Sequence, residues 1–170
     1  KRQVLLLLFW VRTQAQEDNS VFQFLKLPFS SHAAALGGEN ISIIEDDLTM
    51  AVHNPALLSC VADKTLNLNY TLYIAGVNAA SAAFSRVLGD RSTWAVTAQF
   101  VNYGTMKETT NENIITGTFS AKDMAFSGIY SYDLSDYWSG GVKANLIYSN
   151  YDKFSSFAIG VDLGLNYYHQ

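Results

Sequence analysis

The acidic and histidine side chains are the residues of this sequence most able to perform chemistry. Glu45, Asp46 and Asp47 are consecutive, a pattern that could hold Ca²⁺ or act in acid–base catalysis, but no further oxygen ligands follow at calcium-loop spacing. His32 and His53 have no Cys or Glu at ligand spacing, so they do not predict a zinc site. We interpret the acidic run as an exposed turn or an internal contact.

Nucleophile and phosphate motifs give no stronger signal. Cys60 is the single cysteine, so neither a disulfide framework nor a cysteine-based metal site is expected. Gly37-Gly38 lacks the further glycines and the lysine of a phosphate-binding loop, and no serine stands in a Gly-x-Ser-x-Gly elbow. The sequence therefore predicts no catalytic, cofactor or metal site, and we expect a protein that is not an enzyme.

Composition favours an apolar environment over a nucleic-acid partner. The 170 residues are 15% charged and 14% aromatic, and the net charge is −4, whereas soluble domains average about 25% charged residues. The acidic balance argues against nucleic acid, which requires clustered Lys and Arg. The absence of an apolar run of 18 residues predicts no membrane-spanning helix.

The first fifteen residues have the organisation of a targeting segment. Lys1 and Arg2 precede an uninterrupted apolar stretch, Val4 to Val11, and Ala15 offers a small residue for cleavage before Gln16. This order is typical of a secretory signal peptide. We predict that residues 1–15 are removed and that the mature chain is exported.

The sequence pattern of the mature chain changes near residue 65. Residues 16–64 are irregular and favour short helical turns, with a stop at Gly37-Gly38 and a new start at Pro55. From Thr65 onward apolar residues recur with a period of two, which predicts strands. Six such stretches lie in residues 65–170, at 65–74, 79–88, 94–100, 123–132, 142–149 and 157–167.

The alternating stretches predict an outer-membrane wall. One set of positions is bulky and apolar, and the other is mostly Gly, Ser, Thr, Asn and Ala, which suits the inner side of a barrel. The predicted strands are long, and aromatics gather at two levels near their ends. The first level comprises Tyr130, Tyr132, Tyr137 and Trp138, and the second comprises Tyr148, Tyr151, Phe154 and Phe157.

We therefore predict an all-β fold, an antiparallel up-and-down transmembrane β-barrel in outer-membrane lipid, with residues 16–64 as a short helical plug on the polar side. Residues 88–92 and 133–137 are the expected short turns, and 104–120 is the expected long external loop. Six strands are fewer than the usual minimum of eight. We expect that closure is incomplete because the sequence is a fragment.

Two hairpins allow the strand register to be predicted. A two-residue turn at Asp152-Lys153 makes paired residue numbers sum to 305, which places Lys143 opposite Asp162 as an inner ion pair. The turn at 133–137 gives a sum of 270, which places Tyr132 opposite Trp138.

Seven segments of the mature chain carry a resemblance to a known family, and they are residues 24–28, 31–38, 45–47, 54–56, 119–123, 130–135 and 147–151. Together they resemble the PorV/PorQ group of FadL-like outer-membrane barrels in the type IX secretion system. The later segments are most similar to the PorQ branch, and His32 stands where the family leads us to expect Arg.

The resemblance covers the front half of the family's length and implies a barrel of about fourteen strands with its N-terminal segment in the lumen. It implies a role in protein secretion or surface attachment at the outer membrane of a Gram-negative bacterium, through contacts with cargo and other secretion proteins. A FadL-type channel for long-chain fatty acids or other apolar small molecules remains the alternative. A soluble exported β protein is the third possibility.

Overall fold

The computed structural model describes residues 22–109, 115–151 and 154–168, which form an antiparallel β-sheet with a few short helices. The predicted signal peptide at residues 1–15 and the predicted turn at Asp152-Lys153 lie outside these described residues. None of the helices in the described ranges has the length and apolar character needed to cross a membrane. The all-β prediction is confirmed.

The described residues form one six-stranded sheet in which every strand pairs with its neighbours in the chain. The order β1 to β6 confirms the up-and-down meander, and the sheet is not closed, so β1 and β6 are edges. The strands are β1 Leu66–Leu72, β2 Asn78–Leu88, β3 Ser92–Thr109, β4 Ile115–Ser135, β5 Trp138–Tyr151 and β6 Phe154–Tyr167.

The pleat gives the sheet two faces of different chemistry. One face, here the apolar face, carries exposed side chains such as Leu68, Phe126 and Leu163. The other, here the polar face, carries Ser81, Thr97 and other small or polar side chains that are largely buried. Successive side chains of a strand point to opposite sides, so the period of two in the sequence produces this division.

The N-terminal segment, residues 22–64, covers the polar face with short helical turns. The only α-helix among the described residues, α1 Ser31–Ala35, is capped by the Ser30 hydroxyl, which accepts from the Ala33 amide at 3.0 Å. Gly37 follows with φ +99°, a conformation that favours glycine and ends the helix as predicted. The 3-10 turns are Gln23–Lys26, Met50–Val52, Pro55–Cys60 and, between β1 and β2, Ile74–Gly76.

Asn54 and Pro55 start the turn that lies deepest against the sheet. Asn54 is extended and accepts the Ala56 amide at 3.1 Å, while Pro55 occupies the first helical position, where no amide hydrogen is needed. Pro55 is buried against the backbone of Gly141 and Gly164. The prediction that the segment packs on the polar side is therefore confirmed for residues 22–64.

The apolar core lies between the N-terminal segment and the sheet. Apolar side chains of the segment meet small and branched side chains of the polar face, so the segment supplies bulk where the wall has little. The main cluster comprises Phe29, Leu48, Ala51, Leu58, Val61, Ala83, Ala95 and Ile129. A second cluster joins Phe24 to Ala79, Val101, Ala125 and Ile147.

The register of the last hairpin agrees with its prediction. Tyr151 pairs with Phe154, Tyr148 with Phe157 and Lys143 with Asp162, so the paired numbers sum to 305 along the whole hairpin. Four predicted apolar pairs are formed as a result, and they include Leu146 opposite Ile159.

The predicted register of β4 and β5 is wrong by two residues. Tyr132 faces Gly140 instead of Trp138, and Phe126 faces Leu146, which gives a sum of 272. The cause is a tighter turn at residues 136–137, together with an irregularity between Asp133 and Ser135 that restores the alternation. The predicted faces are retained, because a change of two in the sum does not exchange them.

The predicted long loop at 104–120 is mostly strand. β3 continues to Thr109 and β4 begins at Ile115, with a register shift between Asn102 and Thr105 at Gly104, whose φ is +74°. The sequence of this stretch shows no clear alternation of apolar and polar residues, although backbone pairing needs no apolar face. The tip, 110–114, lies outside the described residues.

A substitution at Gly141 tests how closely the N-terminal segment approaches the sheet. A Cβ at Gly141 would overlap the Pro55 backbone, whereas a Cβ at Gly160, on the same face, would lie 3.6 Å from the Asn145 amide nitrogen. We expect Gly141→Ala to destabilise the fold by about 1–3 kcal/mol, because backbone cannot move aside as a side chain can. Unfolding midpoints in urea measure this, with Gly160→Ala as the control. Equal midpoints for the two variants would contradict the described packing.

Candidate functional site

The N-terminal segment is attached to the sheet by its backbone carbonyl oxygens. Ser139 Oγ donates to the Ala56 oxygen at 3.1 Å and Ser131 Oγ donates to the same oxygen at 3.4 Å. Ser81 Oγ donates to the Phe29 oxygen in the same way. The small hydroxyl residues of the polar face thus complete the hydrogen bonds of an irregular chain that has no sheet partner of its own.

Lys143 is the charged member of this attachment. Its Nζ donates to the Val52 carbonyl oxygen at 2.8 Å and lies 3.3 Å from Asp162 Oδ2. The Lys143 side chain is 12% exposed and that of Asp162 is 50% exposed. The predicted cross-strand ion pair on the inner face is confirmed, and its second partner, a carbonyl of the N-terminal segment, is a contact that the strand pattern did not show.

The side-chain amide of Asn145 and the hydroxyl of Ser127 extend the ion pair across the sheet. Asn145 Nδ2 donates to Asp162 Oδ2 at 2.8 Å, and Ser127 Oγ donates to Asn145 Oδ1 at 2.6 Å. The network therefore crosses from β4 through β5 to β6. Strand register alone brings these three side chains together, since Ser127 pairs with Asn145 and Asp162 lies one pair away.

A cavity of about 380 Å³ lies beside this network, between the N-terminal segment and β3 to β6. Its wall on the sheet side includes Thr97, Gln99 and Asn145, and its wall on the segment side includes Leu27 and Ile41. We take this cavity and the Lys143 network as the candidate functional site. Its two walls differ in polarity because they come from different parts of the sequence.

A second buried polar group lies nearer the other end of the strands. Asp123 is 1% exposed, and its Oδ2 accepts the Tyr103 hydroxyl at 2.8 Å and the Tyr151 hydroxyl at 2.9 Å. The prediction that Tyr151 belongs to an aromatic level with Tyr148 and Phe157 is wrong, because Tyr151 points to the polar face. Its odd number, shared with the other inner residues of β5, is the sequence signal that was available.

The acidic run is a structural turn that binds a histidine. Asp47 Oδ2 lies 2.6 Å from His32 Nδ1, and Asp47 Oδ1 accepts the Thr49 amide and hydroxyl, both at 2.9 Å. Asp46 Oδ1 accepts the Ala62 amide at 2.7 Å, and Glu45 lies 3.6 Å from His32 Nε2. His32 therefore has an acidic partner at each of its ring nitrogens.

The pKa values of this pair are shifted by their contact. The hydrogen bond with Asp47 raises the pKa of His32, with smaller contributions from the charges of Asp47 and Glu45. Burial would raise the pKa of Asp47, but the hydrogen bonds from His32 and Thr49 outweigh it, and the pKa is lowered. Both shifts favour the ion pair.

The remaining candidate groups stand apart from one another. Burial lowers the pKa of His53, which favours the neutral ring, and burial raises the pKa of the Cys60 thiol, which makes it a weak nucleophile. Among residues 22–109, 115–151 and 154–168, no three His, Cys, Asp or Glu side chains form a group that could hold a metal ion. The arrangement can bind and position, and it shows no nucleophile paired with a base.

Comparison with known proteins adds no assignment. No protein-family model matches the chain, and no match is found among curated protein sequences.

The Lys143–Asp162 pair should stabilise the fold more than an exposed pair does. We expect Asp162→Asn to cost about 1–2 kcal/mol, because it leaves a mostly buried ammonium without its counterion. Asp63→Asn breaks the exposed contact with Lys64, at 3.5 Å, and serves as the control, with an expected cost below about 1 kcal/mol. A double-mutant cycle with Lys143→Met measures the coupling. A coupling of zero would show that the contact does not stabilise the fold.

The His32–Asp47 pair should give a stability that depends on pH. A raised His pKa means that its contribution is complete below the unfolded value of 6.5 and is lost as pH rises through the folded pKa. A lowered Asp pKa means that its contribution is present above 3.8 and is lost as pH falls through the folded pKa. We expect a maximum between pH 4 and 6.5. Urea midpoints from pH 3 to 9 measure it, and His32→Gln should flatten both limbs.

Proposed function

We propose that the chain forms part of an outer-membrane β-barrel of the type IX protein secretion system, and that it acts through protein contacts in the secretion or surface attachment of cargo. The observation that carries the membrane part is the exposed apolar face of the sheet. Its large side chains are exposed along all six strands, for example Leu68, Phe126 and Leu163. Soluble proteins rarely expose apolar patches beyond a few hundred Å².

The register arranges the apolar face in horizontal rows. A polar row closes one end and comprises Asn78, Asn102, Lys122, Asn150 and Ser155, which are paired in succession across five strands. The next row is Ala80, Phe100, Met124, Tyr148 and Phe157. A sharp change from polar to apolar at one level is the pattern expected where a wall enters a bilayer.

The opposite end of the face carries aromatic side chains and one long cation. Trp94 pairs with Tyr130, and the rings of Trp138 and Tyr167 lie in contact, with centroids 4.8 Å apart and planes tilted by 49°. Arg86 lies in the row of Trp94, where its long side chain can extend to lipid headgroups. This composition supports an interfacial aromatic level of the kind that borders transmembrane barrels.

The height of the apolar band agrees with a bilayer. From Ala80 to Leu88 there are eight residue steps, or about 26 Å along the strand at about 3.3 Å per residue. A strand tilt of 35–45° reduces this to about 19–22 Å, which is close to the apolar band of about 25 Å in outer-membrane barrels. The polar face would then face the lumen, with the N-terminal segment inside it.

The secretion role is supported by the resemblance to the PorV/PorQ group and by the positions of the residues that carry this resemblance. Phe24, Asn54 and Pro55 belong to the resembling segments, and all three are buried where the N-terminal segment packs against the wall. A channel for long-chain fatty acids or other apolar small molecules is the second candidate, favoured by the partly apolar cavity between segment and wall.

Gene deletion in the source bacterium separates the two candidates. For the secretion role we expect cargo proteins to remain in the periplasm or to lose their surface attachment, with fatty-acid uptake unchanged. Restoration by the intact gene is the control. Normal secretion together with impaired uptake would refute the secretion role and support the channel.

A charge at two depths of the apolar face tests the membrane part. Leu146 lies in the middle of the apolar band and Asn150 lies in its polar row. We expect Leu146→Arg to cost about 2–4 kcal/mol in lipid bilayers and Asn150→Arg about 0–1 kcal/mol, because a charge near the midplane loses its hydration. Denaturant titrations of the protein folded into vesicles measure both. Equal small costs, with folding that needs no lipid or detergent, would indicate a soluble exported β protein.

A further inference from the structure

The cavity beneath the N-terminal segment contains side chains whose hydrogen bonds are not completed within the described chain. Thr97 is 6% exposed and Gln99 is 9% exposed, and both line the cavity. Among the described residues, neither side chain forms a hydrogen bond, and neither is one of the buried groups closed off without a partner, so both can be reached from the cavity. Buried polar side chains are nearly always paired with protein, ligand or ordered water, so these two groups are available to a molecule in the cavity.

The charges that line the cavity either neutralise each other or would repel an anion. Lys143 is paired with Asp162 at 3.3 Å and also donates to the Val52 oxygen, so its charge is already used. Glu39 adds an exposed carboxylate to the lining, and burial lowers the pKa of His53, which favours its neutral form. A carboxylate ligand would therefore find no unpaired cation among the lining residues, whereas a neutral ligand avoids the larger cost of removing a charge from water.

The sheet side and the segment side of the cavity offer different chemical groups to a ligand. Thr97, Gln99 and Asn145 provide hydroxyl and amide groups on the sheet side. Leu25, Leu27 and Ile41 provide aliphatic contact on the segment side. A sugar ring has hydroxyl groups at its edge and C–H groups on its faces, and 380 Å³ is near the lower end of ligand pockets.

We propose that this cavity is a binding site for a neutral, monosaccharide-sized polyol, held by the side chains of Thr97 and Gln99 on β3 and by aliphatic contacts from the N-terminal segment. The site depends on the geometry between segment and sheet, and it does not require a role in secretion. The proposed ligand is uncharged and compact, whereas a fatty acid carries a carboxylate and a long chain.

Saturation-transfer NMR and isothermal titration of the full chain in detergent test the proposal. The probes are glucose, galactose, mannose and N-acetylglucosamine, with glucuronate and laurate as anionic comparisons. We expect at least one neutral sugar to bind and glucuronate to bind more weakly. Thr97→Val and Gln99→Leu should each weaken binding about three- to tenfold, the loss expected for one hydrogen bond.

Ser85→Ala is the matched control, because Ser85 is a buried hydroxyl of the same face outside the cavity lining. It should leave binding unchanged. Circular dichroism checks that each variant folds, and Gln99→Asn, which keeps the amide but shortens it, provides a second variant at the same position. Three results would overturn the proposal: no binding of any neutral sugar, binding unaffected by the variants, or laurate binding that the same variants abolish.

Discussion

The alternation of side chains along antiparallel strands is the constraint on which the rest of the structure depends. Each strand carries bulky apolar residues at one parity and small polar residues at the other, and the register keeps these parities aligned across the sheet. A slip of one residue would move Lys143 and Asp162 to the apolar face and Leu146 to the polar face. The separation of polar side chains on the covered face from apolar side chains on the exposed face therefore depends on this register.

The small residues of the polar face have a second consequence. Gly141 and Gly164 allow the Pro55 turn to approach the sheet backbone, and Ser131 and Ser139 supply hydroxyl groups to its carbonyl. A wall of this kind cannot bury much apolar surface by itself. The N-terminal segment supplies the missing apolar side chains, such as Leu48 and Leu58 of the main cluster. The core therefore lies between two parts of the chain, neither of which buries enough apolar surface alone.

The same division explains why polar groups collect beside a partly apolar cavity. The segment contacts the sheet through carbonyl oxygens and aliphatic side chains, while the sheet offers hydroxyl, amide and ammonium groups. Lys143 is held from both sides, since its charge pairs with Asp162 and its ammonium donates a hydrogen bond to the Val52 carbonyl oxygen. The site is suited to positioning a chain or a ligand by hydrogen bonds.

Local patterns in the sequence determined the alternation, the order of strands, and the register of β5 and β6, where a short turn and matching apolar pairs agree. The long-range contacts were decided only by the tertiary structure. The turn at residues 136–137 shifts the pairing of β4 and β5 by two residues from the predicted register, Tyr151 faces inward and donates to Asp123, and His32 contacts Asp47 fifteen residues along the chain. A period of two specifies which side of a strand a residue faces, but the partner it meets there depends on how the irregular segment packs, and no local pattern encodes that.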